Sequence, residues 1–228
     1  MKLGSDAWKE LIRSGAERFG LTLEEAQLER FARHAEELAH WNRRINLTAI
    51  RDPEAVAVKH FLDSCAPAAW IPAEARVIDI GSGGGFPGIP LAVLRPLCDV
   101  VLLDASRKKA NFMRHVSRSL SLANTTVIQG RAEELARQAG FRRSFDLAIS
   151  RAFGSVEWFV SLAEPLLRPG GMAIAMRGRH APSPAGDGAG EPSVPQPGNI
   201  YSYRLPGKGD RRSLLVFSPF SVVTPGAE

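Results

Sequence analysis

A run of glycines is the first candidate for a ligand-binding segment. Residues 81–85 (GSGGG) follow directly on residues 77–80 (VIDI), a short apolar run that predicts a strand. Glycine lets the backbone turn sharply and approach a ligand without side-chain obstruction. So many glycines cost chain entropy that an ordinary turn does not require, and we therefore interpret the segment as a loop that holds a small molecule.

Two kinds of ligand compete for this glycine loop. Gly83, Gly85 and Gly88 satisfy the GxGxxG pattern of dinucleotide-binding proteins. Asp104 lies about twenty residues further on, where a ribose-binding acid is expected. However, this match starts three residues after the strand and contains Pro87, where a dinucleotide site needs free N–H groups at a helix start.

The other register of the loop is acidic-x-Gly-x-Gly-x-Gly, and it begins at Asp79 on the strand itself. It continues through Gly81, Gly83 and Gly85. This register is similar to the loop with which Rossmann-like methyltransferases bind S-adenosylmethionine. We favour it over the dinucleotide register because it is continuous with the strand.

The segments on both sides of this loop alternate between predicted strands and predicted helices. Apolar runs predict strands at residues 77–80, 100–103, 125–128, 145–149 and 172–176. Helical periodicity is present at residues 89–95, 106–120, 132–139 and 155–167. This alternation predicts an α/β fold, Rossmann-like, with a mostly parallel central sheet and helices on both faces. Ligands of such sheets bind beyond the carboxyl ends of the strands, where the glycine loop and Asp104 fall.

The two ends of the chain differ from this central part. Thr22 with Glu25 predicts a capping box, and Asp52 before Pro53 predicts a second helix start. Five prolines and four glycines within residues 180–198 predict a flexible loop. The predicted units are an N-terminal helical cap (1–70), a methyltransferase core (71–178), a Pro/Gly-rich loop (179–198) and a C-terminal antiparallel hairpin that completes the sheet (199–228).

Composition excludes several other classes of protein. The 228 residues are 44% hydrophobic and 23% charged, which is typical of a globular protein that needs no disulfide bonds. Cys65 and Cys98 have no zinc-binding spacing and suit a reducing compartment. Neither a signal peptide nor a membrane span is apparent, because Pro67 and Pro72 interrupt the best apolar candidate. We therefore expect a cytoplasmic protein without a membrane segment or a metal.

A more specific indication comes from short strings in a fixed order along the chain. They are WN (41–42), NLT (46–48), HFLDS (60–64), GGGFPGIP (83–90), LD with KK (103–104, 108–109), GRAEE (130–134) and SRA (150–152). In this combination the chain resembles the bacterial family of 16S ribosomal RNA guanine-N7 methyltransferases, also called glucose-inhibited division protein B. The resemblance runs from about residue 30 to residue 178. Beyond Gly178 the family usually continues with another helix, which the Pro/Gly-rich stretch replaces here.

The resemblance implies S-adenosylmethionine as the cofactor and assigns residues to it. Gly81 and Phe86 would contact the methionine part and the sulfonium. Asp104 would accept the ribose hydroxyls, and Ala132-Glu133 would meet the adenine. Three further residues belong to the first rank of cofactor candidates: Ala105, Ser106 and Arg151. The second rank consists of Asp79, Gly83, Gly85, His60 and Asp63.

Arg151 is the predicted catalytic residue. Guanine N7 carries a lone pair and no proton, so its methylation needs alignment rather than a general base, and alignment contributes about 7–11 kcal/mol. We expect Phe86 and Arg151 to form the walls of the guanine slot, because bases stack on aromatic and guanidinium planes.

Alternative roles for several of these residues remain open. Asp104 could cap the next helix, and Glu133 could be an acidic residue in the first turn of a helix. Arg151 could be a surface ion-pair partner, and His60 with Asp63 could be a buried pair that fixes the helical cap.

Basic residues predict a polyanionic partner. The chain carries 29 Lys and Arg against 24 Asp and Glu, a net charge of +5. Charge runs are usually only solvated faces, but several of them favour an electrostatic RNA footprint. The candidates for RNA binding are Arg43, Arg44, Lys108, Lys109 and Arg114.

The family resemblance names the RNA as 16S rRNA of the small ribosomal subunit, with a guanine of the 530 loop as the target. We expect the protein to act as a monomer. Two other functions remain open on the sequence alone. One is an NAD-linked oxidoreductase that uses the literal GxGxxG, and the other is a non-catalytic RNA-binding relic of the same fold.

Overall fold

A computed structural model describes residues 1–151, 154–178, 198–207 and 209–218. In this part of the chain a seven-stranded sheet has the order β3-β2-β1-β4-β5-β7-β6. Neighbouring strands from β1 to β5 pair in parallel, whereas β7 pairs antiparallel with β5 and β6. The strands are β1 (Arg76–Ile80), β2 (Asp99–Asp104), β3 (Thr125–Gln129), β4 (Phe145–Arg151), β5 (Leu167–Arg177), β6 (Asn199–Arg204) and β7 (Arg211–Phe217).

Helices precede the sheet and connect its strands. They are α1 (Asp6–Glu17), α2 (Glu25–Ile45), α3 (Pro53–Val56), α4 (Asp63–Cys65), α5 (Gly88–Leu94), α6 (Arg107–Ser119), α7 (Ala132–Leu135) and α8 (Val156–Ala163). A π-helix (Ala57–Leu62) lies between α3 and α4, and 3-10 turns follow α4 (Ala66–Trp70) and α8 (Glu164–Leu166). No described helix combines the length and apolarity needed to cross a membrane.

Buried side chains alternate between the two faces of the sheet, as the two-residue period of a strand requires. Val77 and Leu102 belong to a core shared with α1, α2, α5 and α6. Ile78 and Leu103 belong to a second core shared with α7 and α8. Both faces are therefore covered, which confirms the predicted Rossmann-like α/β fold.

The N-terminal helices begin partly where the sequence predicts. Asp52 caps α3 as expected, because its Oδ1 accepts from the Ala55 N–H at 2.8 Å. The capping box predicted at Thr22 and Glu25 is wrong, because the observed capping box begins two residues later. Glu24 is the N-cap of α2, and its N–H donates to Oε1 of Gln27 at 2.9 Å.

Other boundaries also differ from the sequence prediction. Strand β5 starts five residues earlier than residue 172 and includes residues 168–171, next to a register irregularity opposite β4. The segment predicted as a helix to residue 167 changes to a 3-10 turn at Glu164, because Pro165 has no N–H to donate. The hairpin is confirmed as β6 and β7. The predicted loop over residues 179–198 lies outside the described residues except for Gly198.

Candidate active site

The glycine loop lies where the carboxyl ends of β1 and β2 meet. The N–H groups of Gly81 and Ser82 both donate to the Leu103 carbonyl, at 2.8 and 3.1 Å. Gly85 has φ +83°, and a Cβ there would lie 2.4 Å from Cδ1 of Ile89. Gly83 has φ +58°, and its nearest neighbour would be the Gly81 carbonyl oxygen at 3.8 Å. Gly85 is thus required for packing, whereas Gly83 leaves the face of the loop open.

Two aspartates hold this loop. Asp104 Oδ2 accepts from the Gly83 N–H at 3.0 Å, and its Oδ1 accepts from the Ser106 N–H at 2.8 Å. Ser106 is the N-cap of α6, so this second bond also lets Asp104 stabilise the start of that helix, and its role towards the cofactor stays a prediction. Asp79 is fully buried and accepts from the Gly88 N–H through Oδ2 at 2.8 Å.

The second oxygen of Asp79, Oδ1, has no hydrogen-bond partner among the described residues. Burial raises the pKa of this carboxyl from 3.8 to about 7. A buried, unpaired acceptor beneath a glycine loop is costly for a protein unless a ligand or water satisfies it.

A cavity of about 210 Å³ opens beside the loop and brings five of the predicted cofactor residues together. Those that line it are Gly81, Asp104, Ala105, Ala132 and Glu133. Trp158, at the start of α8, also lines it and is 52% exposed. Sequence reasoning missed Trp158. The available signal was a large aromatic residue next to Phe159. Because Phe159 is buried, Trp158 points away from the core-facing side of α8.

Phe86 lies outside this cavity. Its ring is 3% exposed and stacks on the rings of His34 and His60, each with a centroid distance of 4.6 Å. The expectation that this ring forms a stacking wall for guanine is therefore wrong, because histidines already occupy the stacking positions. A contact of its backbone with the cofactor remains a prediction.

Arg151 ends β4 and is held by the π-helix. Its Nη1 donates to the Lys59 carbonyl at 2.8 Å, and its Nη2 contacts Nδ1 of His60 at 3.0 Å. A guanidinium has no acceptor, so Nδ1 accepts and the ring proton of His60 resides on Nε2. Nε2 then donates to Oγ1 of Thr48 at 2.9 Å. Burial and the Arg151 charge lower the pKa of His60 to about 3, so this imidazole stays neutral.

Asp63 joins this arginine to the C-terminal hairpin. Its Oδ2 lies 3.7 Å from Nη1 of Arg151, and its Oδ1 accepts from the Tyr203 hydroxyl at 2.8 Å. Arg212 Nε is 3.6 Å from the same Oδ1. Burial raises the pKa of Asp63 against the lowering effect of both arginines. Arg151 is thus no surface ion-pair residue, and Tyr203 and Arg212 are site neighbours that sequence reasoning missed.

The predicted RNA-binding residues fall into two groups. Lys108 and Lys109 are in the first turn of α6, which begins three residues after Asp104, and they therefore lie at the carboxyl edge of the sheet. Arg114, one helical turn further, donates to the Val127 carbonyl at 3.4 Å. Arg43 and Arg44 are exposed in the last turn of α2.

The fold can be compared with solved structures. A solved structure of a SAM dependent methyltransferase from Aquifex aeolicus aligns with a TM-score of 0.53 and 13% identity, over 75% of this chain and 96% of that one. The architecture is that of the Rossmann-like S-adenosylmethionine-dependent methyltransferases.

Sequence comparison is more specific than the fold. The family model GidB, rRNA small subunit methyltransferase G, matches residues 27–193. The ribosomal RNA small subunit methyltransferase G of Geobacter sp. (strain M21) is 41% identical over 210 residues, which are 91% of this chain and 96% of that protein. Its namesake from Caldanaerobacter subterraneus subsp. tengcongensis is 44% identical over 172 residues, 75% of this chain and 72% of that one. The chain belongs to the GidB family, which confirms the resemblance.

Proposed function

We propose that this protein transfers a methyl group from S-adenosylmethionine to N7 of a guanine in 16S rRNA of the small ribosomal subunit. One observation carries the proposal at this site: Gly81 of the glycine loop, Asp104 at the end of β2 and Glu133 in α7 line one cavity at the carboxyl edge of the sheet. Family membership supplies the RNA, since the relatives are named for it. The guanine of the 530 loop, a cytoplasmic location and a monomeric state belong to the same proposal and rest on the family.

The residues present fit S-adenosylmethionine. Gly83 leaves the loop open to a ligand, and Asp79 provides a buried acceptor without a partner among the described residues. Asp104 uses one lone pair on each oxygen for the protein and keeps others for ribose hydroxyls. Trp158 and Ala132 offer apolar surface for the adenine. When bound, the cofactor supplies an electrophilic methyl group on a sulfonium.

The chain's own residues act by positioning and charge. N7 of guanine needs no base, and Arg151 cannot act as one, because a guanidinium stays protonated. The neutral His60 cannot act as one either, because its single ring lone pair accepts from Arg151. Held by Lys59 and His60, the guanidinium presents a fixed plane for aligning the target base.

The dinucleotide alternative is not favoured by the geometry of Gly88. Its N–H donates to Asp79 and is therefore not available to a pyrophosphate. A Cβ at Gly88 would lie 2.2 Å from Cδ2 of Leu102, so packing alone requires the last glycine of the literal GxGxxG.

The test is methyl transfer from labelled S-adenosylmethionine to small ribosomal subunits, followed by mapping of N7-methylguanosine in the 16S rRNA. We expect one labelled guanine and saturable binding of S-adenosylmethionine, with no saturable binding of NAD. Cofactor binding without any RNA methylation would support the non-catalytic relic instead. NAD binding without S-adenosylmethionine binding would overturn the proposal.

A further inference from the structure

A second cavity of about 370 Å³ lies in the N-terminal helical cap, outside the proposed cofactor site. Ala35, Leu38 and Ala39 of α2 form part of its apolar wall, with Ile50 from the following loop. Leu38 also approaches the glycine loop, because a Cβ on Gly84 would lie 3.2 Å from its Cδ1. Leu38 thus lies between the cavity and the loop proposed to hold the cofactor.

The loop that closes this cavity is held in place by one buried side chain. Asn42 Oδ1 accepts from the N–H groups of Leu47 and Thr48, at 2.7 and 2.9 Å. Its Nδ2 donates to the Thr48 carbonyl at 2.8 Å. The cavity wall is therefore fixed before any ligand arrives, which lowers the entropic cost of binding.

The hydroxyl of Thr48, which lines the cavity, has a proton to donate. Because His60 accepts from Arg151, its Nε2–H donates to Thr48 Oγ1, which also accepts from the Ile50 N–H at 3.0 Å. Both lone pairs of Oγ1 are then used. Within the described part of the chain no acceptor for the Thr48 proton is found. An occupant of the cavity with an acceptor oxygen or nitrogen would satisfy it.

The charged groups at the cavity are cationic. Arg43 and Arg51 line it, and no Asp or Glu is among its described lining residues. Arg43 contacts His40 Nδ1 at 2.8 Å, and Arg51 is exposed and makes no ion pair within the described residues. Apolar walls combined with cations and a hydroxyl donor match an unstacked base with its phosphate.

We propose that this cavity binds one nucleotide of the RNA substrate, with the base against α2 and the phosphate at Arg43 and Arg51. Its volume is within the range of small-ligand pockets, about 300–1,000 Å³. A single imidazole, that of His60, connects its Thr48 to Arg151. The nucleotide would therefore be a close neighbour of the target guanine. This inference rests on the proposed function, because it requires an RNA substrate.

The first experiment introduces a negative charge into the cavity wall at an exposed position of α2. Ala39→Glu places a carboxylate in the cavity wall, and Ala26→Glu makes the same change at another exposed position of α2 outside it. A second pair of variants is Arg51→Ala and its control Arg33→Ala. Arg33 is exposed and does not line the cavity. We expect Ala39→Glu and Arg51→Ala to raise KM for small ribosomal subunits at least ten-fold. Cofactor Kd and the melting temperature should stay unchanged, as should all parameters of both controls.

The second experiment does not depend on activity. The two native cysteines, Cys65 and Cys98, are buried, so a thiol-reactive benzophenone would label Ala39→Cys or Ala26→Cys selectively. We expect photocrosslinking to 16S rRNA in small subunits from position 39 at several times the level from position 26. Equal crosslinking from both positions, or an unchanged KM for Ala39→Glu, would overturn the nucleotide site. If the wild type methylates RNA normally in that case, the proposed function still stands.

Discussion

Arg151 donates to two acceptors that a lysine could not satisfy in the same geometry. They are the Lys59 carbonyl and Nδ1 of His60, and the guanidinium also lies 5.0 Å from the Phe86 ring centroid. Arg151→Lys keeps the charge but loses the planar fork. We expect single-turnover methyl transfer to fall ten-fold or more, about 1.4 kcal/mol in the barrier, with the fold intact.

The matched control for this change is Arg177→Lys, at the corresponding end of β5. The rate of the Arg151→Lys variant should also show little pH dependence between about 6 and 8.5, since no side chain transfers a proton. Full activity of this variant, or a steep pH profile of the chemical step in the wild type, would show that the assigned role is wrong.

Asp104 is expected to contribute to cofactor affinity in two ways. Its carboxylate would accept ribose hydroxyls, and it already fixes the open Gly83 through a hydrogen bond of 3.0 Å. A hydrogen bond to a charged group contributes about 1.5–3 kcal/mol, so Asp104→Ala should weaken S-adenosylmethionine binding by about ten-fold or more. Asp99→Ala, at the opposite end of the same strand, is the control. Calorimetric titration of both folded variants checks this, and equal affinities would contradict it.

Asp79 makes the stability of the cofactor-free protein pH-dependent. Burial raises its pKa from 3.8 to about 7, so the folded protein holds this proton more tightly than the unfolded chain. The free energy of unfolding contributed by Asp79 therefore decreases as pH rises from about 4 to about 7, by at most about 1.4 kcal/mol per pH unit. Asp79→Asn keeps an oxygen for the Gly88 N–H and cannot ionise.

The measurement is the difference in unfolding free energy between Asp79→Asn and the wild type. We expect it to shift in favour of the variant between pH 4 and pH 7 and then to level off. The difference cancels the contributions of His34 and His60, whose pKa values are lowered by burial and act in the opposite sense. A difference that does not change with pH would mean that Asp79 stays ionised.

Among the contacts between secondary-structure elements, a buried carboxylate links the hairpin to the helical cap. Tyr203 of β6 and Arg212 of β7 both reach Asp63, which in turn lies beside Arg151. Tyr203→Phe removes one donor to Asp63 and should destabilise the protein by about 1.5–3 kcal/mol. Tyr201→Phe, on the same strand and 42% exposed, should have little effect. Denaturant unfolding of both variants checks this, and equal losses would contradict it.

Elements with a local signal were predictable from the sequence. The strands before the glycine loop and before Asp104 have short apolar runs, and their order along the chain implies parallel pairing. The start of β5 was not predictable, because Pro169 and Gly170 favour a turn. Residues 168–171 have no partner in the β4 register, and Gly170 has φ +79°. Only the pairing of Leu167 with Phe145 before this bulge places it inside the strand.

Contacts between distant parts of the chain carry no local signal. Tyr203 and Asp63 are 140 residues apart, and the cavity residue Trp158 is remote from the glycine loop in sequence. The stacking of Phe86 on two histidines from separate helical segments has the same origin. The sequence could therefore predict which residues reach the carboxyl edge, but not which of their surfaces remain available to a ligand.

At the scale of the whole molecule, basic residues lie at both edges of the sheet. Lys108 and Lys109 follow the carboxyl end of β2 and share an edge with the proposed cofactor cavity. Arg142 and Arg143 are exposed just before β4 begins, and they lie at the opposite edge because β2 and β4 both run parallel to β1. If the RNA approaches the reacting atoms, only the first pair can neutralise phosphates close to the site.

The salt dependence of RNA binding distinguishes these two edges. Each neutralised phosphate contributes about 0.7–0.9 to the slope of log K against log salt concentration, because bound counterions are released. Replacing Lys108 and Lys109 together by alanine should lower that slope by about 1.5. The double replacement of Arg142 and Arg143 removes the same charge and should leave the slope unchanged. Binding of small ribosomal subunits over a series of KCl concentrations measures both variants. Equal changes would mean that net charge alone, and not the carboxyl edge of the sheet, attracts the RNA.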